Sequence, residues 1–284
     1  MMHRSFARRL ARVFVPALVA GMLFAAQAGA ATTLSLAKVQ ALVASASHGR
    51  AQAQSVFAGP GGLTGAVITY KDQPDAAPSV IWINNDASAL LVGKLIGSHG
   101  QDLNKQAAQQ VGLLLTPAKG LAAAAQPDAA AIHSGRSGPV LTVFIDPNCI
   151  YCHMLYQKLQ PLIAQGKLRV RYVVVAVVKQ SSLDRAAAIL EARDPVAALA
   201  EDQKDFDVKT EEGGIKRART PSAAMVTRIG NNNALLDKLG SQGTPTLLYC
   251  SKDGQVEQLD GMPSDFDALM AELASGPERA CNTL

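Results

Sequence analysis

Cysteine is scarce in this chain of 284 residues: there are four, at positions 149, 152, 250 and 281. Only one C-x-x-C pair exists among them, so a zinc site built from two such pairs lacks its second half. His48, His99 and His133 stand alone, without ligand-spaced partners to complete one. An excess of charge is missing as well. The chain carries 27 basic and 23 acidic residues, but Arg4, Arg8, Arg9 and Arg12 fall in the first 30 positions, so the remainder balances at 23 of each. Near-zero net charge gives no footing for binding nucleic acid or a membrane surface. No apolar run spans a bilayer comfortably; Val13–Ala26 is too short. With arginines before it and Ala28-Gly29-Ala30 after it, that run reads as the core of a cleaved signal peptide, residues 1–30, on the general export route. Export would place the four cysteines in an oxidising compartment.

What is present centres on Cys149-Ile150-Tyr151-Cys152. Val140–Ile145 reads as a buried strand and Asp146-Pro147-Asn148 as a turn, and apolar residues from Met154 to Leu162 recur at helical spacing. A C-x-x-C at a strand-to-helix corner sets the first sulfur over the unpaired N–H groups of the first helical turn, where the helix dipole favours thiolate. The second sulfur lies about one turn further in, within reach of a disulfide. Cys149 is thus the candidate nucleophile and Cys152 the resolving thiol of a two-electron switch that needs no cofactor and no metal. The competing reading comes from His153, which completes C-x-x-C-H, the attachment signature of c-type haem in electron-transfer proteins. Haem attachment goes with a small, mostly helical domain, whereas this motif follows a strand and has further strands after it. Asp146 is expected to serve the turn rather than to raise a thiol pKa.

Those further strands are Leu168–Val175, then Gly243–Tyr249 opening with Thr244-Pro245, then Gln255–Leu259 after the hairpin signal Lys252-Asp253-Gly254. A closing helix spans Asp265–Leu273, with Ser264 as its expected N-cap. Strand, C-x-x-C helix, strand, Thr-Pro strand, hairpin and helix is the order of the α/β thioredoxin fold. Helical segments Leu183–Arg193, Pro195–Gln203 and Thr220–Gly230 interrupt it between about 180 and 240. Glu211-Glu212 and Lys216, Arg217 and Arg219 there read as a solvated loop. Upstream, a helix over Leu34–Ser47 and strands Gly65–Tyr70, Ser79–Ile83 and Leu90–Ile96 make a small α+β unit. Its core is thin for an independent monomer, which pairing with a second copy would relieve. Residues 116–138 are Ala-rich, broken by Pro127, and end in a flexible joint, Ser134–Gly138. The two leftover cysteines, Cys250 and Cys281, are expected to pair as a structural disulfide in an exported protein.

Residues from both halves carry a resemblance. They are Phe144-x-Asp146-Pro147-x-Cys149-x-Tyr151-Cys152, Ala186–Leu190 with Asp194-Pro195, Thr244-Pro245, and Phe57-x-x-Pro60-Gly61-Gly62-Leu63-x-Gly65. The chain resembles the periplasmic thiol:disulfide interchange proteins of the DsbG/DsbC family, and DsbG more than DsbC. The resemblance implies a cystatin-like dimerisation domain (31–115), a linker (116–138) and a thioredoxin-like catalytic domain (139–284) with a helical insertion. It implies isomerase or reductase activity, extending to sulfenylated single cysteines, a cis Pro245, and substrate binding by Tyr151, Thr244 and Pro245. It also implies a homodimer in the periplasm, misoxidised proteins as substrates, and reduction by an inner-membrane donor of the DsbD type. One departure stands out: Ile150 occupies a place where the family usually has proline or glycine. Ile150, with His153 beside the motif, is expected to tune the redox potential.

Overall fold

A computed structural model describes residues 33–241, 243–273 and 281; the expected signal peptide lies outside them. Helix α1 (Leu36–Ala46) starts where the Ser35 hydroxyl accepts the Lys38 N–H, a standard N-cap. It buries Val39 and Val43 against an antiparallel sheet of β1 (Ala51–Ala58), β2 (Thr64–Tyr70), β3 (Ser79–Ile83) and β4 (Leu90–Leu91), in that order. Strand β1 was not legible in the sequence because its inward positions are Ala51 and Ala53, and alanine is a weak strand signal. The strand expected over 90–96 shrinks to two residues; Leu91 within it and Val92 and Ile96 beyond it are exposed. Gly65 pairs with Phe57 across β1 and β2, and a Cβ there would overlap the Phe57 ring. That ring in turn packs edge-on against Trp82, centroids 5.8 Å apart.

Helix α2 (Leu103–Gln110), capped by Asp102, and α3 (Pro117–Ala124), capped by Thr116, lead to the second sheet. Its strands are β5 (Ala131–Ser134), β6 (Val140–Ile145), β7 (Arg169–Val174), β8 (Thr246–Cys250) and β9 (Val256–Asp260). They lie in the order β5-β7-β6-β8-β9; β6 and β7 are parallel and every other neighbouring pair is antiparallel. Residues 116–138, expected from the sequence to be a linker, carry α3, which packs on this sheet, and β5, its edge strand. The Ser134–Gly138 stretch is a tight turn against Leu168 rather than a free joint: Gly135 and Gly138 have φ of 91° and 94°, and a Cβ on either would strike backbone at residues 167–169.

Alternation along β6 sends Leu141, Val143 and Ile145 to one face and Phe144 to the other. On the first face lies α4 (Ile150–Ala164), contributing Leu155 and Leu159, both fully buried. Each such leucine contributes about 1.5–3 kcal/mol by burial. Helices α5 (Ser182–Leu190), α6 (Pro195–Lys204) and α7 (Ala223–Lys238) join β7 to β8, and α8 (Phe266–Glu272) closes the chain of elements. Sequence ended α7 at Gly230, since Asn231-Asn232-Asn233 is poor helix material. The helix continues because tertiary bonds reward those asparagines: Asn232 Nδ2 donates to the carbonyls of Ala130 (2.9 Å) and Val174 (2.7 Å), and Asn233 exchanges bonds with Ala176. The N-cap of α8 is Asp265, which accepts the Ala268 N–H at 2.9 Å, and not Ser264. The two sheets are tied by Lys105–Asp260 (2.7 Å) and by the Leu115 N–H to the Lys238 carbonyl (2.7 Å).

Candidate active site

Cys149 is the N-cap residue of α4, with φ −90° and ψ 115°. Its sulfur therefore takes the place of a capping oxygen and accepts the Cys152 N–H at 3.2 Å. Its own S–H donates to the Thr244 carbonyl at 3.2 Å. That carbonyl belongs to a cis peptide, Thr244-Pro245, which faces the motif from the loop leading into β8. Both cysteines are unbonded, Cys149 at 5% exposure and Cys152 at 2%.

The two sulfurs are not equivalent. A hydrogen bond from the Cys152 thiol is the main influence bringing the Cys149 thiol down to about 7. Burial opposes it, and the N–H groups of Cys152 and Tyr151 assist. Cys152 moves the other way: complete burial, and then the neighbouring Cys149 sulfur, hold its thiol well above the usual range. Near neutral pH the pair thus holds one shared proton deficit on the outer sulfur, which is the arrangement an attacking thiolate and a waiting resolving thiol require. The Thr244 hydroxyl is near enough to both sulfurs to favour their ionised forms, yet it is buried and makes no hydrogen bond of ordinary geometry.

Tyr151 is 57% exposed and Met154 44% exposed on the outer side of the same helix, an apolar rim beside the cysteines. Ile150 is half-buried on the first turn, and Pro245 is buried. His153 points inward. Its ring stacks on Phe206 (4.6 Å, 13° between planes), its Nδ1 contacts Gln203 Oε1 (3.3 Å) and its Nε2 contacts Gln157 Nε2 (2.9 Å). With both ring nitrogens occupied and both sulfurs buried, these residues do not fit covalent haem with His153 as axial ligand. Among the described residues no group of three or more His, Cys, Asp or Glu side chains is placed to hold a metal.

Asp146 is a clamp for the turn. Its Oδ1 accepts the Asn148 N–H (2.8 Å) and the Ser182 hydroxyl (2.7 Å), and its Oδ2 accepts the N–H groups of Val177 (2.7 Å) and Val178 (2.9 Å). Burial still raises its carboxyl above the ordinary value, against those four bonds. Cys250 and Cys281 form a disulfide that fastens the end of β8 to the C-terminal region, away from the motif. Sequence reasoning missed the polar layer behind the motif: Asn148, Ser181, Ser182, Asp202, Gln203 and Glu212. The solvated loop expected at Glu211-Glu212 does not hold for Glu212, which pairs with Arg185 at 2.6 Å and accepts the Ser181 hydroxyl. Lys216, Arg217 and Arg219 are exposed.

Residues 126–275 match the family described as the thioredoxin-like domain. Among curated proteins, the thiol:disulfide interchange protein DsbG of Pseudomonas aeruginosa is 27% identical over 209 residues, 73% of this chain and 78% of its own. DsbG of Escherichia coli is 27% identical over 212 residues, 73% of this chain and 80% of its own. A solved structure of Helicobacter pylori DsbG is 16% identical, covers 74% of this chain and 98% of that one, and superposes with a TM-score of 0.36. The chain therefore belongs to the thioredoxin-like family, and its relatives make it a DsbG-like thiol:disulfide oxidoreductase.

Proposed function

We propose that this chain is a periplasmic disulfide isomerase and reductase working through Cys149 and Cys152. The observation that carries this reading is the inequality of the two sulfurs: Cys149 caps α4 and is brought down to about 7, while Cys152 behind it is held protonated. The Cys149 thiolate attacks one sulfur of a substrate disulfide, forming a Cys149–substrate mixed disulfide and expelling the other substrate sulfur as a thiolate, which takes up a proton. Two outcomes follow. A second substrate thiolate can attack the mixed disulfide, regenerating the Cys149 thiolate with the substrate isomerised and no net electron transfer. Alternatively Cys152 loses its proton and attacks Cys149 Sγ, releasing the substrate reduced by two electrons and leaving a Cys149–Cys152 disulfide. A sulfenylated substrate cysteine enters the same route, with hydroxide, protonated to water, as the leaving group.

Tyr151, Thr244 and Pro245 flank the attacked bond, and Thr244 offers backbone groups to an extended substrate strand. Ile150 and His153 set the potential, His153 from inside. The oxidised pair is returned to dithiol by an inner-membrane donor of the DsbD type. Residues 1–30 direct export, 31–115 form a cystatin-like dimerisation domain, and 139–284 form the catalytic domain together with α3 and β5 from the stretch 116–138; its helices between β7 and β8 are the insertion. Two catalytic domains held across a dimer cleft would admit unfolded substrates and exclude a large oxidising partner. The thin core of the α1–β4 unit and the exposed Leu91, Val92 and Ile96 at its edge support pairing. The test uses the mature chain. A homodimer at micromolar concentration that recovers a scrambled multi-disulfide substrate with catalytic amounts of enzyme supports the reading. A monomer, or one substrate reduced per enzyme without reshuffling, refutes the isomerase assignment.

A further inference from the structure

Both residues that flank Cys149-x-x-Cys152 are gripped from behind by one short stretch of chain, Asp202–Ile215. On the upstream side, Asn148 is fully buried. Its Nδ2 donates to the hydroxyls of Ser181 (3.0 Å) and Ser182 (3.1 Å), and its Oδ1 accepts the Gly213 N–H at 2.9 Å. Every hydrogen-bonding site of that amide but one acceptor lone pair is used. On the downstream side, His153 meets Gln203 through Nδ1 and lies flat on Phe206. Gln203 is oriented by Asp202, whose Oδ2 accepts its Nε2 at 2.9 Å. Its Oε1 therefore faces the imidazole, Nδ1 carries the ring proton, and Nε2 accepts from Gln157.

The stretch also closes on itself. Asp202 Oδ1 accepts the Ile215 N–H at 3.3 Å, and the Asp202 carbonyl accepts the Gly214 N–H at 2.9 Å. A Cβ on Gly213 would overlap the Asp202 carboxylate, so only glycine lets this backbone reach Asn148. At its rim Glu212 is locked between Ser181 and Arg185.

We propose that Asp202–Ile215 is a strap that fixes the reactive turn, with Asn148 as its principal positioning residue. This rests on the reading of Cys149 as the nucleophile and adds how its geometry is kept. Cys149 follows Asn148 directly, and its N–H donates to the Asp146 carbonyl across the same turn. Rotation at residue 148 therefore swings the sulfur relative to the Cys152 N–H, and a charge-assisted contact at 3.2 Å weakens steeply when misaligned. The Cys149 sulfur hydrogen-bonds to Thr244 and to the Cys152 N–H, not to the strap, which acts through Asn148 and His153.

The experiment compares wild type with Asn148→Ala, Gln203→Ala and the milder Ser181→Ala. Each protein is checked for folding by circular dichroism, titrated for thiolate by ultraviolet absorbance against pH, and equilibrated with glutathione for its redox constant. For Asn148→Ala the thiolate midpoint is expected to rise by about one pH unit, leaving about fivefold less thiolate near pH 7. Gln203→Ala and Ser181→Ala are expected to move the midpoint in the same direction by less. A folded Asn148→Ala protein with wild-type midpoint and redox constant, changed only in melting temperature, overturns the proposal. If that variant does not fold, wild-type midpoints in folded Gln203→Ala and Ser181→Ala overturn it equally. A wild type that exchanges no disulfides contradicts the functional reading itself, and the strap's role with it.

Discussion

Removing the Cys152 thiol while keeping the rest of the first helical turn isolates what activates Cys149. In the structure the hydrogen bond from Cys152 is the largest influence lowering the Cys149 thiol, ahead of the backbone N–H groups. A hydrogen bond to a charged partner contributes about 1.5–3 kcal/mol, and about 1.4 kcal/mol moves a pKa by one unit. Cys152→Ala should therefore raise the Cys149 midpoint from about 7 to about 8–9. Cys152→Ser, whose hydroxyl can still donate, should stay within about half a unit of wild type. At about pH 7 the thiolate fraction would fall from about one half to between a tenth and a hundredth. Intrinsic nucleophilicity rises with pKa, with a Brønsted slope of about 0.4–0.5, so the alkylation rate would fall only about two- to eightfold. The discriminating readout is accordingly the midpoint of the thiolate titration and not the rate at one pH. The sign is that of an acid whose pKa is depressed on folding: the stabilisation of the reduced protein is present above the ordinary thiol range and is lost as pH falls through about 7. A Cys152→Ala midpoint still at the wild-type value would refute this reasoning and assign the activation to the helix N-terminus alone.

Two further outcomes follow from the same structure. Replacing Cys250 and Cys281 together by serine removes a crosslink across 31 residues, which in the chain-entropy model costs about 3–4 kcal/mol; denaturant melts should show that loss while the Cys149 titration midpoint is unchanged. Asp146→Ala leaves the Val177 and Val178 N–H groups and the Ser182 hydroxyl without their acceptor. It should lower unfolding free energy by about 3–5 kcal/mol, and a loss under about 1 kcal/mol in urea would show that the turn does not depend on this clamp.

The parts of the fold written in strong patterns were legible in the sequence. Val140–Ile145 is a mostly apolar run and Leu168–Val175 alternates and then turns continuously apolar; the two flank a helical pattern and emerge as the parallel pair β6 and β7. Strand β1 escaped notice because alanine, glutamine and serine dominate it, and β5 because it is only four residues, Ala131–Ser134; pairing with Ile68 or Tyr172 holds them, not their own propensity. The C-terminal half of α7 escaped for the opposite reason: Asn232 bonds to Ala130, just before β5, and to Val174 of β7, and no local pattern displays such bonds. At the site, spacing alone marked Cys149 and Cys152. What spacing does not carry is the second layer: Asn148 reaches Gly213 across 65 positions, and His153 reaches Gln203 across 50. Such contacts arise only when α6 and the loop after it are laid behind the motif.

The central claim is that Cys149 attacks and Cys152 resolves. The most direct measurement mixes the Cys152→Ser protein with a disulfide-containing substrate, quenches with acid and weighs the products by mass spectrometry. A covalent adduct of one substrate chain per protein, mapped to Cys149 and released by a thiol reductant, is the expected result, with no adduct from Cys149→Ser. A Cys152→Ser protein that turns over like wild type, or a Cys149→Ser protein that still forms the adduct, contradicts the account.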